Sequence, residues 1–522
     1  MILFDIMTRL ERRVQPFYGL NQPLKRYLTL IYGITLGLAL ILALLAIGLG
    51  GEHTPVIADL QPPTPQSTIA PTENYSPPNS LGKPTEIPEV PPTPNEVTPS
   101  SLGVTSADLR GVQVSLWHPW SGTLASQLQS ILDDYSRTNK WGTTVNVIGY
   151  EGFGRMDEAI ETAVISGTLP DILINYGYQA QHWDASGVVA DLTPYVDDPV
   201  WGFTSAEQAD FYPAFWVEDL VTDPISNRTL RLGIPFYRSG YLMYYNQSWA
   251  NELGFSKPPS TPAEFKQQAC AAMPTSAAQG GKADSSQGGW LVTTQPGVAA
   301  GWIVANGGNI TTPTRSGYSF NTPETQQAFE YIKDMVESGC AWFDPGSDAQ
   351  SSFAERKALF VTGSLLDIPA QQEAFREAGN SDEWLVIPFP SSEQPVVDTY
   401  GPSLIITRST PAQQLAAWLV IKWLVYPHNQ IEWLEAIQTL PTRQSAASYL
   451  IETQQSDSPW AQALRLLPYA YSEPSAASWN MVRWSLSDAM AELVDPNFTA
   501  DQIPALLEKL NNLAAEIESQ VH

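Results

Sequence analysis

The sequence predicts an α/β protein in two lobes, held outside a membrane by one span and displayed on a stalk. Three observations point there: an uncharged apolar run near the N-terminus, a proline-rich stretch after it, and then a long region in which strand and helix patterns alternate. About 415 residues follow the stalk, too many for one ordinary core and a natural size for two.

Residues 28–51 (LTLIYGITLGLALILALLAIGLGG) carry no charge. About 24 residues at roughly 1.5 Å each reach about 36 Å, enough to cross a hydrocarbon core of about 30 Å. Arg9, Arg12, Arg13, Lys25 and Arg26 precede the run, whereas Glu52 follows it. The positive-inside bias then puts residues 1–27 in the cytoplasm and the bulk of the chain outside. The run exceeds the core of about 7–15 apolar residues of a cleaved signal peptide, so an uncleaved signal anchor is expected. No cysteine follows it at which a lipid could be attached.

Residues 52–105 are dominated by Pro, Thr, Ser and Glu, with too little apolar surface to offset backbone ordering, and read as a disordered linker. At roughly 3 Å per residue its extended limit is on the order of 150 Å. The formal charge of −27 argues against nucleic acid or an anionic membrane surface as partner and suits solubility outside the cell.

The globular part begins as a βα unit: 111–117 (GVQVSLW) reads as a strand, 118–122 (HPWSG) as a polar aromatic loop, and Leu124, Leu128, Ile131 and Leu132 mark a helix face. A strand at 145–148, a helix at 156–165 and a strand at 172–175 continue the alternation. This predicts a mostly parallel sheet covered by helices, with ligands at the C-terminal strand ends. Thr261, Thr322 and Thr410 are each followed by Pro and read as helix caps, and a closing amphipathic helix carries Leu506, Leu507, Leu510 and Ile517.

The ordered segments 114–117 (VSLW), 167–171 (GTLPD), 187–193 (GVVADLT), 233–236 (GIPF), 244–246 (YYN), 259–265 (PSTPAEF), 307–308 (GG), 353–364 (FAERKALFVTGS), 400–401 (YG) with 404–407 (LIIT), and 440–442 (LPT) resemble the extracellular solute-binding proteins of ABC importers, in the maltose-binding-like family 1 group. No single segment is specific; the order over roughly residues 110–522 carries the resemblance. It implies a two-lobed, periplasmic-binding-protein-like type II fold with a hinge and an interlobe ligand cleft. One lobe would hold about 110–238 and 399–456, the other about 239–398 and 457–522. The implied protein is a monomer that closes on a carbohydrate and delivers it to permease subunits. The span and stalk depart from the lipidated anchor of many members.

In such a fold the cleft is lined by strand ends and hinge. The candidates are Trp117, His118 and Trp120 after the first strand, Tyr176 and Tyr178 after the Pro-Asp strand, and Tyr237 and Arg238 at the first crossing. Trp302, Asn306 and Asn309 flank the Gly-Gly turn, Ser364 ends a strand, Tyr400 and Gly401 lie at the return crossing, and Trp479 and Arg483 come late in the chain. Aromatic rings can stack on the C–H faces of sugars, although each Trp could equally serve core packing. His118 could instead fix its own loop. Arg238 could pair an anion, bind sugar hydroxyls or tie the hinge through a buried salt bridge. Cys270 and Cys340 could form a disulfide or remain two buried thiols, and they are too sparse for a metal site.

Nucleophile-elbow, zinc-protease and P-loop motifs are absent, and there are five histidines, so no enzyme and no cofactor are expected. A surface glycosidase remains as an alternative because two of the 54 acidic residues would suffice for it. A sensory ectodomain is another, and a polyol phosphate or acidic sugar held by Arg238 or Arg483 is the alternative ligand.

Overall fold

The computed structural model describes residues 100–223, 226–273, 288–312, 317–454 and 457–521. The expected span 28–51 and nearly all of the linker lie outside the described residues, among which no helix is long and apolar enough to cross a membrane. Ser100 Oγ, Ser101 N–H and Ser101 Oγ all donate to Asp198 Oδ2, at 2.9, 2.8 and 2.9 Å, so the chain is already fastened to the globular body before residue 105.

The chain opens with β1 (Gln113–His118), α1 (Gly122–Thr138), β2 (Thr144–Gly149), α2 (Phe153–Ser166), β3 (Ile172–Asn175) and α3 (Gly177–Asp184). A small antiparallel pair, β4 (Leu220–Thr222) and β5 (Thr229–Arg231), precedes β6 (Ile234–Pro235), and the chain then crosses to β7 (Ser239–Asn246). Next come α4 (Pro262–Ala271), β8 (Gly288–Leu291), α5 (Pro296–Ala305), α6 (Pro323–Glu337), β9 (Ala341–Trp342), β10 (Ala358–Ser364), β11 (Trp384–Ile387) and β12 (Val397–Tyr400). It returns through β13 (Ser403–Ile406), α7 (Pro411–Leu424) and α8 (Pro427–Ile437), and crosses again to β14 (Ala470–Ser472), α9 (Trp479–Leu493) and α10 (Ile503–Val521).

Two sheets result. The first has the order β2-β1-β3-β13-β6, and the second runs β14-β12-β7-β10-β8-β9 with β11 also on β7. The parallel expectation holds for β1 with β2 and β3, but β13 is antiparallel to both β3 and β6. In the second sheet β7 is antiparallel to β10, β11 and β12, while β10–β8, β8–β9 and β12–β14 are parallel. Both sheets are mixed because β13 and β7 enter from the opposite sheet instead of by a helical crossover.

Local chemistry sets the helix starts. Thr261 and Glu264 form a reciprocal capping box ahead of Pro262, while Thr322 and Thr410 accept from the backbone N–H groups of Thr325 and Gln413. Gln413 does not reciprocate; its amide donates to Gln113 O. Leu506, Leu507 and Leu510 of α10 are buried, as their spacing predicts. Cys270, near the end of α4, and Cys340, just before β9, are joined in a disulfide.

The first crossing is bound to the segment that follows α8. Arg238 N–H donates to Leu440 O at 2.9 Å and Leu440 N–H to Arg238 O at 2.7 Å. Gly401 lies where two crossings meet, and a Cβ there would fall 2.4 Å from Tyr237 O and 3.0 Å from Arg238 Cα. Gly401→Ala is therefore expected to cost about 1–3 kcal/mol through overpacking, read as a lower urea midpoint. An unchanged midpoint would mean that the crossing segments spread freely.

Candidate ligand-binding site

The C-terminal ends of β3, β12 and β14 converge. β3 delivers Tyr176, Gly177 and Tyr178, β12 delivers Tyr400 and Gly401, and β14 delivers Glu473, Pro474 and Ser475; together with Glu218 they line a narrow cavity of about 10 Å³. That is about the room of one water molecule, far below the roughly 300–1,000 Å³ of ordinary ligand sites, so the cleft stands nearly closed. Across it a Cβ on Gly177 would sit 3.5 Å from Ser475 Cβ, and Gln181 Nε2 is 3.5 Å from Ser475 Oγ.

Tyr176 and Tyr178 stack with their planes 6° apart and centroids at 5.1 Å, and Phe153 backs Tyr176 at 4.7 Å. Tyr400 OH and Ser364 Oγ are 2.6 Å apart, Ser364 Oγ and Ser239 Oγ 3.2 Å, and the Tyr400 ring lies 5.3 Å from Tyr241. Burial pushes the Tyr176, Tyr178 and Tyr400 phenols up, so all three are neutral donors at physiological pH.

Two charge clusters flank the cavity. On one side Arg238 is fully buried: Nε donates to Glu218 Oε2 at 2.9 Å, Nη1 to Tyr237 O and Pro402 O at 2.8 and 2.9 Å, and Nη2 to Ser403 Oγ at 3.3 Å. Of the three roles open to Arg238 from sequence, the geometry selects the hinge tie. Ser403 Oγ also donates to Asp219 Oδ2 at 2.7 Å, which joins the return crossing to the same cluster. Burial raises Glu218 to about 7, only partly opposed by Arg238. On the other side Glu473 Oε2 accepts from Trp479 Nε1 at 2.7 Å and faces Arg483 Nη1 at 3.9 Å. Burial raises the Glu473 carboxyl too.

The remaining sequence candidates sit elsewhere. Trp302 is enclosed among Phe265, Trp290, Tyr331 and Phe389, with centroids at 5.2 to 5.7 Å, in the core of the second sheet. The reason is the direction of α5: its first turn abuts Asp398 and Tyr241 near the cleft, so Asn306 lies about 15 Å further along the helix. Asn306 caps that helix by donating to Trp302 O, and exposed Asn309 accepts from Tyr471 OH at 3.0 Å. Trp479 is fully buried and acts through Glu473. Trp117 packs on Tyr150 at 5.1 Å, and Trp120 packs against Tyr237 and Trp433 at 6.1 and 4.7 Å, beside the hinge and not on the cavity wall.

His118 Nδ1 accepts from Trp120 N–H at 3.2 Å and so fixes its own loop. Burial holds its imidazole down at about 4. The unfolded chain therefore takes up a proton near pH 6.5 that the folded chain refuses, and the stability this group supplies above pH 6.5 is lost as pH falls toward 4. His118→Asn keeps an acceptor in place of Nδ1 but cannot charge, and is expected to lose less melting temperature between pH 7 and pH 5 than the parent. An equal loss would show that His118 titrates normally.

Glu218, Glu473, Pro474 and Ser475 were not singled out from sequence. Glu473 is one of 54 acidic residues, and only its place directly after a short strand marks it. A wider depression of about 320 Å³ among Ile368, Gln372, Glu435, Gln438, Gln454, Ser458 and Trp460 lies between helix surfaces and is lined by no strand end.

The family model for bacterial extracellular solute-binding proteins matches residues 130–468, and the chain belongs to that family. Its members bind substrates for ABC transport and are not enzymes. Among solved structures, the cyclic α-maltosyl-1,6-maltose binding protein of Arthrobacter globiformis is 19% identical with a TM-score of 0.65, over 78% of this chain and 100% of its own. The sugar-binding protein MalE of Xanthomonas citri gives the same identity and TM-score over 78% and 98%. UgpB of Mycobacterium tuberculosis, in complex with glycerophosphocholine, is 16% identical with a TM-score of 0.58 over 78% and 98%. At these identities the likeness is one of fold. No curated protein matches significantly.

Proposed function

We propose that this chain is a membrane-tethered extracytoplasmic receptor that captures a carbohydrate by closure of two lobes and hands it to an ABC importer. Residues 28–51 would anchor it, the linker would let the lobes reach the permease, and the binding unit would act as a monomer. The lobes would divide near residues 238, 399 and 456. The observation that carries this reading is the nearly closed cavity at three C-terminal strand ends, walled by the stacked pair Tyr176–Tyr178 and by Tyr400. Stacked ring faces suit sugar C–H surfaces, and the phenol and Ser475 hydroxyls suit sugar hydroxyls. Sugar ligands of the structural neighbours from Arthrobacter globiformis and Xanthomonas citri support the same class. Of the two guanidinium groups that could hold the alternative ligand, a polyol phosphate or acidic sugar, Arg238 is already engaged by four acceptors, and Arg483 faces Glu473 at 3.9 Å and does not line the cavity.

Thermal unfolding of the full-length protein against neutral, amino and acidic sugars, polyols and polyol phosphates tests this. A ligand at about 100 times its dissociation constant adds roughly 2.7 kcal/mol, a readable rise in Tm. A saturable shift with no product formed is expected. A cleft that no compound stabilises would overturn the importer reading.

A further inference from the structure

Among the described residues, three that are not glycine hold a positive φ: Asn227 at 55°, Arg356 at 58° and Gln438 at 53°. Two have a reason in their own side chains. Asparagine tolerates the left-handed region, and the Arg356 guanidinium is gripped by Asp382 and by both carboxylate oxygens of Glu252 at 2.9 Å. Gln438 has no such reason. Its backbone closes α8, the N–H donating to Leu434 O at 2.7 Å, in a position that glycine fills without strain. Its side-chain amide has no hydrogen-bond partner among the described residues.

That amide instead lines the depression of about 320 Å³ between helix surfaces, a volume inside the range of ordinary ligand sites. The walls come from elements attached to both sheets. Ile368 and Gln372 lie in the first two turns of the helix Ile368–Glu377, which follows β10, while Glu435 and Gln438 end α8, which follows β13 through α7. Trp460 forms the buried part of the lining: it is 5% exposed, and its Nε1 donates to the carbonyl of Thr439, next to Gln438, at 3.0 Å.

The chemistry of the wall selects a class of ligand. Two further amides, Gln372 and Gln454, line the space, and neither has a side-chain hydrogen-bond partner among the described residues. Each amide offers donors and an acceptor, and the Ser458 hydroxyl, which accepts from Ala461 N–H at 3.2 Å, keeps its own proton to donate. Groups that both donate and accept match hydroxyl groups, which do the same. Ile368 and Trp460 add apolar surface for C–H groups. No cationic side chain lines the space to hold an anion, and the one lining carboxylate, Glu435, is exposed and solvated.

We propose that this depression is a second binding site, separate from the cavity at the strand ends, for a neutral sugar unit, with Gln438 held in its left-handed conformation so that its amide meets the ligand. The site goes beyond the receptor reading and does not rest on it.

Saturation-transfer NMR on the full-length protein, with glucose, galactose and xylose as neutral probes and gluconate and glucosamine as charged ones, tests this. At least one neutral sugar should give saturable transfer in the millimolar range, and its dissociation constant should rise at least about tenfold in Gln438→Gly and in Gln372→Ala. The Tm of Gln438→Gly should not fall, because glycine takes the left-handed turn without steric cost. A clear fall would mean that the side chain serves packing and would overturn the inference. Transfer kept in both variants but lost in Tyr178→Ala would put the sugar at the strand ends, which overturns the second site and leaves the receptor standing. Equal binding of gluconate or glucosamine would overturn the neutral class, and silence from every probe would overturn the site.

Discussion

Arg238→Ala should destabilise the protein by about 3–5 kcal/mol, the cost of breaking a buried ion pair by deleting one partner. The guanidinium donates to Glu218, to two carbonyls and to Ser403, and so joins three segments distant in sequence. Without it, Glu218 and Asp219 are two buried acids with Arg231 as the remaining nearby cation. Arg238→Lys should recover only part of the loss, because an ammonium group cannot present the same planar fork of donors. The deficit should also depend on pH, with a definite sign. Burial already raises Glu218 from an ordinary 4.5 to about 7, so the folded state holds this proton more tightly than the unfolded state. A group of that kind favours folding fully below pH 4.5, and its contribution fades as pH rises through 7. Removing Arg238 raises the carboxyl further, so the loss measured by urea denaturation should be smaller at pH 5 than at pH 8. A loss below about 1 kcal/mol at pH 8 would mean that the hinge does not depend on this pair.

Replacing both Cys270 and Cys340 by Ala should cost about 4 kcal/mol. The bond closes a loop with a sequence separation of 70, and the chain-entropy estimate for a loop of that size is about 4 kcal/mol of restricted unfolded state. Reducing the parent protein should produce the same fall in urea midpoint as the double variant. Tethering α4 to the start of β9 also restrains the second sheet at its β8–β9 edge. A double variant with an unchanged midpoint would show that the native packing alone holds that edge.

Tyr176, Tyr178 and Tyr400 provide neutral, sugar-compatible surface whichever ligand is bound. Glu218 and Glu473 add carboxyl groups to the same wall. The acidity of the whole chain, −27, gave no hint of this, because it is spread over 54 acidic residues and most carboxylates are simply solvated.

What the sequence determined by itself was everything governed by neighbours along the chain. Apolar periodicity marked β1, α1 and α10, the Thr-Pro pairs fixed the starts of α4, α6 and α7, and the family resemblance, which puts the cleft at strand ends and hinge, pointed to Tyr176, Tyr178, Tyr400 and Gly401, which all line the cavity. What only the tertiary structure decided was which side chains distant in sequence share one buried space. Trp302 looked like a cleft aromatic beside a Gly-Gly turn, yet the direction of α5 sends it into the core. Arg238 looked as available to a ligand as to the hinge until Glu218, Tyr237, Pro402 and Ser403 closed around it. The physical reason is range: periodicity, caps and turns act over a few residues, whereas desolvation and charge pairing depend on what folding brings within a few ångströms, and no local pattern couples Glu218 to Arg238 or Asp398 to Arg483.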